Sequence, residues 1–152
     1  MMAADDSTIH ASAVLAGAKA VLIRGPAGSG KSQLAWNLLT AAVQGALPFA
    51  RLVADDRVHV QSHSGCLLVR PPQALAGMIE IHGLGIRRVE FETLATVGLV
   101  VDLAAEDAAR HPEKKAASAT IAGVKLPRLA IAPGMTHLPL VLATLRTLPS
   151  GD

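Results

Sequence analysis

The clearest chemistry in the chain lies in one glycine-rich segment, Gly25-Pro26-Ala27-Gly28-Ser29-Gly30-Lys31-Ser32. It has the pattern of a phosphate-binding loop, in which glycines let backbone N–H groups curl inward around an anion. In that pattern the lysine, here Lys31, reaches the outer phosphates, and the hydroxyl of the next residue, here Ser32, is a ligand for Mg²⁺. The segment therefore predicts a nucleotide-phosphate site with magnesium.

The residues on either side of the loop have the patterns that this motif requires. An apolar run over Ala20–Ile23 predicts a buried strand, which we extend to Arg24. After the loop, apolar residues recur at helical spacing and predict a helix to about Val43. Its predicted buried face consists of Ala35, Leu38, Leu39 and Ala42. Strand, glycine-rich loop and helix form the setting in which such a loop binds phosphate.

A pair of carboxylates, Asp55 and Asp56, directly follows the apolar stretch Leu52–Ala54. A carboxylate at the end of a buried strand can hold Mg²⁺, and a second one beside it can take a proton from a substrate hydroxyl. Taken alone, the pair is equally typical of a turn, which favours aspartate for structural reasons. Together with the phosphate-binding loop, we interpret it as part of an active site.

The bulk composition indicates one globular domain. The chain has 152 residues, of which 51% are hydrophobic and 17% are charged. We predict residues 1–7 as a flexible N-terminus and residues 8–149 as a single catalytic domain. A net charge of +2 and an aromatic content of 2% argue against a nucleic-acid partner.

The same composition predicts a cytoplasmic protein. The N-terminal residues are acidic and lack the features of a signal peptide, and no apolar run is long enough to predict a membrane span. The single cysteine, Cys66, excludes an internal disulfide, which suits a reducing compartment. Because Cys66 opens an apolar stretch, we predict it as a small core residue.

Short apolar stretches predict many strands and few helices, so the expected fold class is a strand-rich α/β domain. The predicted strands outside the loop region are Ile9–Ala16, Leu52–Ala54, Arg57–Gln61, Cys66–Val69, Met78–Ile81, Val89–Phe91, Val97–Leu103, Thr120–Ala122 and Arg128–Ile131. A polar loop over Glu106–Ser118 and a terminal helix over Leu138–Leu148 complete the prediction. This pattern differs from the regular strand–helix alternation of doubly wound small-molecule kinases and GTPases.

Four segments in this order resemble the catalytic domain of HPr kinase/phosphorylase. They are Ile9–Ser12, the glycine-rich loop, Leu52–Val58 and Ile79–Ile86. The strongest parts are Asp-Asp-Arg-Val and Glu-Ile-X-Gly-Leu-Gly-Ile, which phosphate-loop enzymes in general lack. The resemblance is to short bacterial forms without the extra N-terminal domain. It implies a phosphate-loop domain of the phosphoenolpyruvate carboxykinase-like type.

The resemblance also implies an activity. It is that of an ATP- and Mg²⁺-dependent serine kinase acting on an HPr-like phosphocarrier protein, with phosphate-dependent dephosphorylation as the reverse reaction. Carried over by position, Asp55 would take the proton from the target serine, and Asp56 would assist it around the metal. His10 would lie beside Asp55 and tune it. The family also implies a homo-oligomer, a hexamer in its known members.

The phosphate and metal sites follow from the same resemblance. The loop from Gly25 to Ser32 would bind ATP, and its part from Gly28 to Ser32 would wrap the β-phosphate. Lys31 would contact the transferring phosphoryl group. Ser32 and Glu80 would bind Mg²⁺, with Asp56 next to them.

The chain departs from the family pattern at two places. His82 stands where the family has Arg, and Met135-Thr136 follows Gly134 where the family often has Arg-Asn. Because His lacks the permanent bidentate charge of Arg, we expect kinase activity with weak phosphorylase activity. Arg87 or Arg88 could supply the missing cation. A non-catalytic ATP-binding regulatory module and a small-molecule kinase stay open as alternatives.

Overall fold

The computed structural model describes residues 8–110 and 112–150, so the segment predicted as a flexible N-terminus lies outside the described residues. The strands are β1 (Thr8–Ile9), β2 (Ala11–Ala16), β3 (Lys19–Arg24), β4 (Ala50–Ala54), β5 (Val58–His63), β6 (Cys66–Arg70), β7 (Met78–Ile81), β8 (Gly85–Arg88), β9 (Ala95–Asp102), β10 (Ser118–Ile121) and β11 (Val124–Ala130). The α-helices are α1 (Lys31–Val43) and α2 (His137–Arg146), and short 3-10 turns cover Gln73–Leu75 and Lys114–Ala117. The predicted strand-rich α/β class is confirmed.

One large sheet organises the domain, and β9 is the strand that its parts share. The strands run in the order β1-β5-β6-β9-β3-β2-β4. One edge of β9 pairs in parallel with β3 along most of its length. The other edge pairs with β6 at Thr96 and Ala95 and with β11 from Val100 to Asp102. Because β3 leads into the glycine-rich loop, this central position fixes the loop firmly against the sheet.

Helix α1 packs across one face of this sheet and buries the larger core. Its buried residues are Lys31, Leu34, Ala35, Leu38 and Ala41. The predicted face was therefore correct at Ala35 and Leu38, whereas Leu39 and Ala42 are only partly buried. A second apolar core covers the opposite face of the sheet, so β3 and β9 contribute residues to both sides. None of the described helices is long and apolar enough to cross a membrane.

A β-bulge in β4 decides the direction of the first aspartate. Ala13 of β2 pairs with Ala54, whereas Val14 pairs with Leu52, so Val53 is an extra residue on β4. Val53 and Ala54 consequently both lie in the core on the side away from α1. A bulge of this kind reverses the side-chain alternation that follows it. The residue after Ala54 therefore faces the α1 side of the sheet.

Charged groups at the ends of three parallel strands form a network below the glycine-rich loop. Asp102 accepts hydrogen bonds from Arg24 Nε at 2.8 Å and from Arg128 Nε at 2.6 Å. Burial raises the pKa of Asp102, but the two guanidinium groups outweigh this and hold it below its usual range. Arg128 also contacts Asp107. The network joins β3, β9 and β11 at the point where the loop begins.

The structure differs from the sequence prediction in several elements. Residues 89–91 form no strand, since the second strand of this hairpin is β8 and Phe91 makes only an isolated bridge to Leu52. The terminal helix ends at Arg146 rather than at Leu148. Cys66 is exposed, so its prediction as a core residue was wrong. It opens β6 at the exposed turn of the β5–β6 hairpin, where an apolar pattern no longer implies burial.

Candidate active site

The glycine-rich segment forms a loop whose backbone suits an anion. A turn is closed by the N–H of Ser29, which donates to the carbonyl oxygen of Pro26 at 3.0 Å. Gly30 caps α1 with a φ of 100°, a conformation that favours glycine. The first helical hydrogen bond runs from the N–H of Leu34 to the carbonyl oxygen of Gly30. The N–H groups of residues 31–33 therefore have no acceptor within the helix and can bind a phosphate.

Lys31 brings an unneutralised positive charge to this loop. Its side chain is 8% exposed, and Nζ donates to the carbonyl oxygens of Gly25 at 3.0 Å and Pro26 at 3.3 Å. Among the described residues, no carboxylate forms an ion pair with it. A buried ammonium group without a counter-charge favours a bound anion. The contact of Lys31 with the outer phosphates of a triphosphate stays a prediction.

Asp55 is the centre of the polar contacts on the other side of the site. Ser32 Oγ lies 2.7 Å from Oδ1 and 2.9 Å from Oδ2 of Asp55. Ser12 Oγ donates to Oδ1 at 2.8 Å. The backbone N–H of Glu80 donates to Oδ2 at 3.0 Å. One carboxylate thus ties the first turn of α1 to the ends of β2 and β7.

A cleft of about 780 Å³ lies between the loop, the two aspartates and the β7–β8 hairpin. Its lining includes eight of the predicted site residues, namely Ala27, Gly28, Gly30, Lys31, Ser32, Asp55, Asp56 and Glu80. The remaining predicted loop residues, Gly25, Pro26 and Ser29, support the loop from outside the lining. The structure therefore brings the two sequence-predicted groups together in one cleft.

His10 lies at the edge of this arrangement rather than in the cleft lining. It is exposed, and Nη2 of Arg57 lies 3.3 Å from its Nε2. The N–H of the next residue, Ala11, donates to the carbonyl oxygen of Asp56 at 3.2 Å. His10 is therefore connected to the aspartate pair through the backbone and through Arg57, and its effect on Asp55 stays a prediction.

The side chains around the cleft fit a magnesium ion. Ser32 supplies a hydroxyl oxygen, and Asp56 and Glu80 supply exposed carboxylates that line the same cleft. These are hard oxygen donors, which Mg²⁺ prefers. Among residues 8–110 and 112–150, no cluster of three or more acidic, His or Cys side chains could hold a metal alone.

Two residues that the structure places against the site were not predicted from the sequence. One is Ser12, which contacts Asp55 from β2. The other is His137 at the start of α2, because a Cβ added to Gly30 would lie 2.7 Å from its Cε1 atom. Burial lowers the pKa of His137, because desolvation disfavours the charged form of its ring. The sequence indicates a special role for Ser12, because its hydroxyl interrupts an otherwise apolar strand, but it contains no comparable indication for His137.

Comparisons with known proteins identify the family of this chain. The sequence model of the family described as HPr Serine kinase C-terminal domain matches residues 2–144. HPr kinase/phosphorylase of Clostridium beijerinckii is 34% identical over 98 residues, which cover 64% of this chain and 30% of that protein. The enzyme of the same name from Clostridium tetani is 35% identical over 83 residues, or 55% of this chain and 24% of that protein. The matched segments thus span less than a third of these relatives.

A solved structure shows the same fold. The structure of the Hpr(Ser) kinase/phosphatase from Coxiella burnetii superposes with a TM-score of 0.73 at 24% identity. The superposition covers 93% of this chain and 89% of that one. The family match extends over nearly the whole chain and includes both the phosphate-binding loop and the aspartate pair. The chain therefore belongs to the HPr serine kinase C-terminal domain family.

Proposed function

We propose that the protein transfers the γ-phosphoryl group of ATP to a serine of an HPr-like phosphocarrier protein. The observation that carries the proposal is the convergence of Lys31, Ser32 and Asp55 on one open cleft. A nucleotide-binding module needs only the loop. A carboxylate beside the loop and open to the cleft is what phosphate transfer to a hydroxyl requires in addition.

The residues divide the reaction between binding and proton transfer. The N–H groups at the start of α1 and the ammonium group of Lys31 hold and orient the phosphates. Asp55 accepts the hydroxyl proton of the substrate serine. At the same time the serine oxygen forms a bond to the γ-phosphorus, and the bond between the γ-phosphorus and the oxygen of the leaving ADP breaks. Since the transition state of phosphoryl transfer is loose, positioning and charge neutralisation contribute most of the acceleration.

Ser32, Asp56 and Glu80 would hold magnesium at the same cleft. When it is bound, the metal neutralises charge on the phosphate oxygens. Asp56 has a φ of 69°, so the backbone turns sharply after Asp55. This turn lets two consecutive carboxylates line one cleft, although side chains on a regular strand would point to opposite faces.

Three further proposals rest mainly on membership of the family. The fold is of the phosphoenolpyruvate carboxykinase-like type, the chain assembles into a homo-oligomer, and it works in the cytoplasm. The exposed free thiol of Cys66 supports the last of these, because it suits a reducing compartment.

The decisive experiment is transfer of label from ATP to HPr. Purified protein is incubated with Mg²⁺, ATP labelled in the γ-phosphate, and HPr, with a variant of HPr that lacks the target serine as control. We expect label on wild-type HPr and none on the variant. Binding of Mg·ATP without transfer to HPr would contradict the proposal and favour a nucleotide-sensing module.

The strand register distinguishes between Arg87 and Arg88, either of which could replace the arginine that the family has in place of His82. Met78 pairs with Arg88, Ile79 with Arg87, and Glu80 with Ile86. Paired residues share one face of a two-stranded sheet. Met78, Glu80 and Ile86, on the face of Arg88, line the cleft. On the face of Arg87, Ile79 is buried, and Ile81 and Gly85 reach the lining at the turn of the hairpin. We therefore propose that Arg88, which shares its face with three lining residues, reaches the reacting phosphate group, because His82 carries no permanent charge.

Arg88→Ala should then lower the rate of HPr phosphorylation about tenfold, the effect of losing one hydrogen bond to a charged group. The adjacent Arg87→Ala is the matched control, because it removes the same charge from the other face of the same strand. We expect less than a twofold change for it. Initial rates at saturating ATP measure both. Equal losses in the two variants would contradict the assignment and indicate a general effect of net charge.

A further inference from the structure

We propose that Ser12 is a positioning residue for phosphate transfer, which keeps the Asp55 carboxylate oriented toward the substrate while Ser32 serves the metal. The inference rests on the proposed function and adds to it a residue from β2, outside the glycine-rich loop and the aspartate pair. Its support is the pattern of hydrogen bonds around Asp55 and the position of Ser12 in the core.

Ser12 is fully buried, and its hydroxyl is used in both directions. It is 0% exposed, donates to Asp55 Oδ1 at 2.8 Å, and accepts the backbone N–H of Asp56 at 3.0 Å. A buried hydroxyl destabilises the fold unless it is hydrogen-bonded. Here its two partners are the two successive residues that carry the candidate chemistry.

The position of Ser12 on β2 would otherwise favour an apolar side chain. Side chains alternate along a strand, so Ser12 shares the α1 side of the sheet with Val14 and Ala16. Val14 is fully buried in the core under α1, and Ala16 packs against it. An alanine at position 12 would suit these neighbours. The hydroxyl is therefore explained by Asp55 and Asp56, which the bulge in β4 brings to this side.

Each oxygen of Asp55 has one donor that is independent of the loop. For Oδ1 it is Ser12, and for Oδ2 it is the backbone N–H of Glu80. Ser32 lies close to both oxygens, but its hydroxyl has a single proton and can serve only one of them at a time. Without Ser12, Oδ1 would depend on a hydroxyl that must also serve the metal.

The number of donors leaves room for the substrate. An ionised carboxylate has about four acceptor positions, of which Ser12, Ser32 and Glu80 occupy three. The remaining position is available to the hydroxyl of a substrate serine. Two donors on strand residues fix the plane of the carboxylate, so that this position points in one direction.

The test compares Ser12→Ala and Ser12→Thr with the wild type. We expect Ser12→Ala to lower kcat for HPr phosphorylation about tenfold, as for a lost hydrogen bond to a charged group. The Kd for Mg·ATP should change less than twofold, because the loop is untouched. Ser12→Thr keeps the hydroxyl and should retain most of kcat. Ser118→Ala, a half-buried serine on β10, is the control for a strand serine remote from the cleft.

A combined variant separates positioning from a purely structural role. If Ser12 acts through Asp55, then Ser12→Ala should cause no further loss of rate in an Asp55→Asn background. An unchanged kcat in Ser12→Ala would overturn the proposal, and so would a loss of equal size in both backgrounds. A parallel fall of kcat and Mg·ATP affinity would also overturn it, since that outcome indicates general disruption.

Failure of the proposed function would look different. In that case the wild type would bind Mg·ATP but transfer no phosphate to HPr. The coupling between Ser12 and Asp55 could still be measured by thermal unfolding. The four proteins compared are the wild type, Ser12→Ala, Asp55→Asn and the double variant. A coupling of zero would overturn the role of Ser12 independently, whereas a clear coupling would retain its contact with Asp55 and reject only the reaction.

Discussion

The Asp55→Asn variant is expected to lose phosphate transfer to HPr by about a hundredfold or more, the usual contribution of a general base. The amide cannot accept the serine proton, but it fits the same space. Its oxygen can accept the N–H of Glu80, and its NH₂ group can donate to the hydroxyl oxygens of Ser12 and Ser32 if their hydrogens turn away from it. The fold and the affinity for Mg·ATP should therefore be largely retained.

Three measurements on Asp55→Asn distinguish loss of the base from loss of ATP binding or of the fold. The initial rate of labelling of HPr reports transfer, a titration with Mg·ATP reports binding, and thermal unfolding reports the fold. Asp56→Asn is the matched neighbour, and asparagine tolerates the positive φ of this position. We expect Asp56→Asn mainly to change how the transfer rate depends on the magnesium concentration. Undiminished transfer in Asp55→Asn would exclude Asp55 as the base.

The second large effect is expected for Lys31→Met, which keeps the length of the side chain and removes its charge. The ammonium group is buried in the loop, and no carboxylate in the described part of the chain neutralises it. Preorganised charges of this kind typically contribute about a hundredfold to a thousandfold to the rate. We expect a loss of that size in transfer and a clearly weaker binding of ATP, measured by calorimetric titration.

The thermal stability of Lys31→Met should not fall together with its activity. Because a buried ammonium without a counter-charge destabilises the empty protein, the midpoint of thermal unfolding should stay equal or rise. Lys125→Met removes an exposed charge from β11 and serves as control, with wild-type binding and transfer. Unchanged ATP affinity in Lys31→Met would show that the loop does not bind the triphosphate as proposed.

Local features of the fold were predictable because they depend on neighbours in sequence. The strand before the loop, the loop and helix α1 were predicted nearly to their ends, since glycine placement and apolar spacing act over a few residues. The strands predicted at Arg57–Gln61 and Cys66–Val69 correspond to β5 and β6, although the turn between them is shorter than Ser62–Gly65 and consists of Ser64-Gly65. The strand predicted at Val89–Phe91 does not form, because this segment makes only an isolated bridge, from Phe91 to Leu52 of β4.

The sequence by itself determined the family, the phosphate-binding loop and the two aspartates, because these signals consist of residue types at fixed short spacing. Only the tertiary structure decided which way the aspartates point. The contact between Ser12 and Asp55 joins residues 43 positions apart, and it depends on a bulge that adds Val53 to one strand. A shift of one residue would turn Asp55 to the other face of the sheet, and the residue types alone do not reveal such a shift.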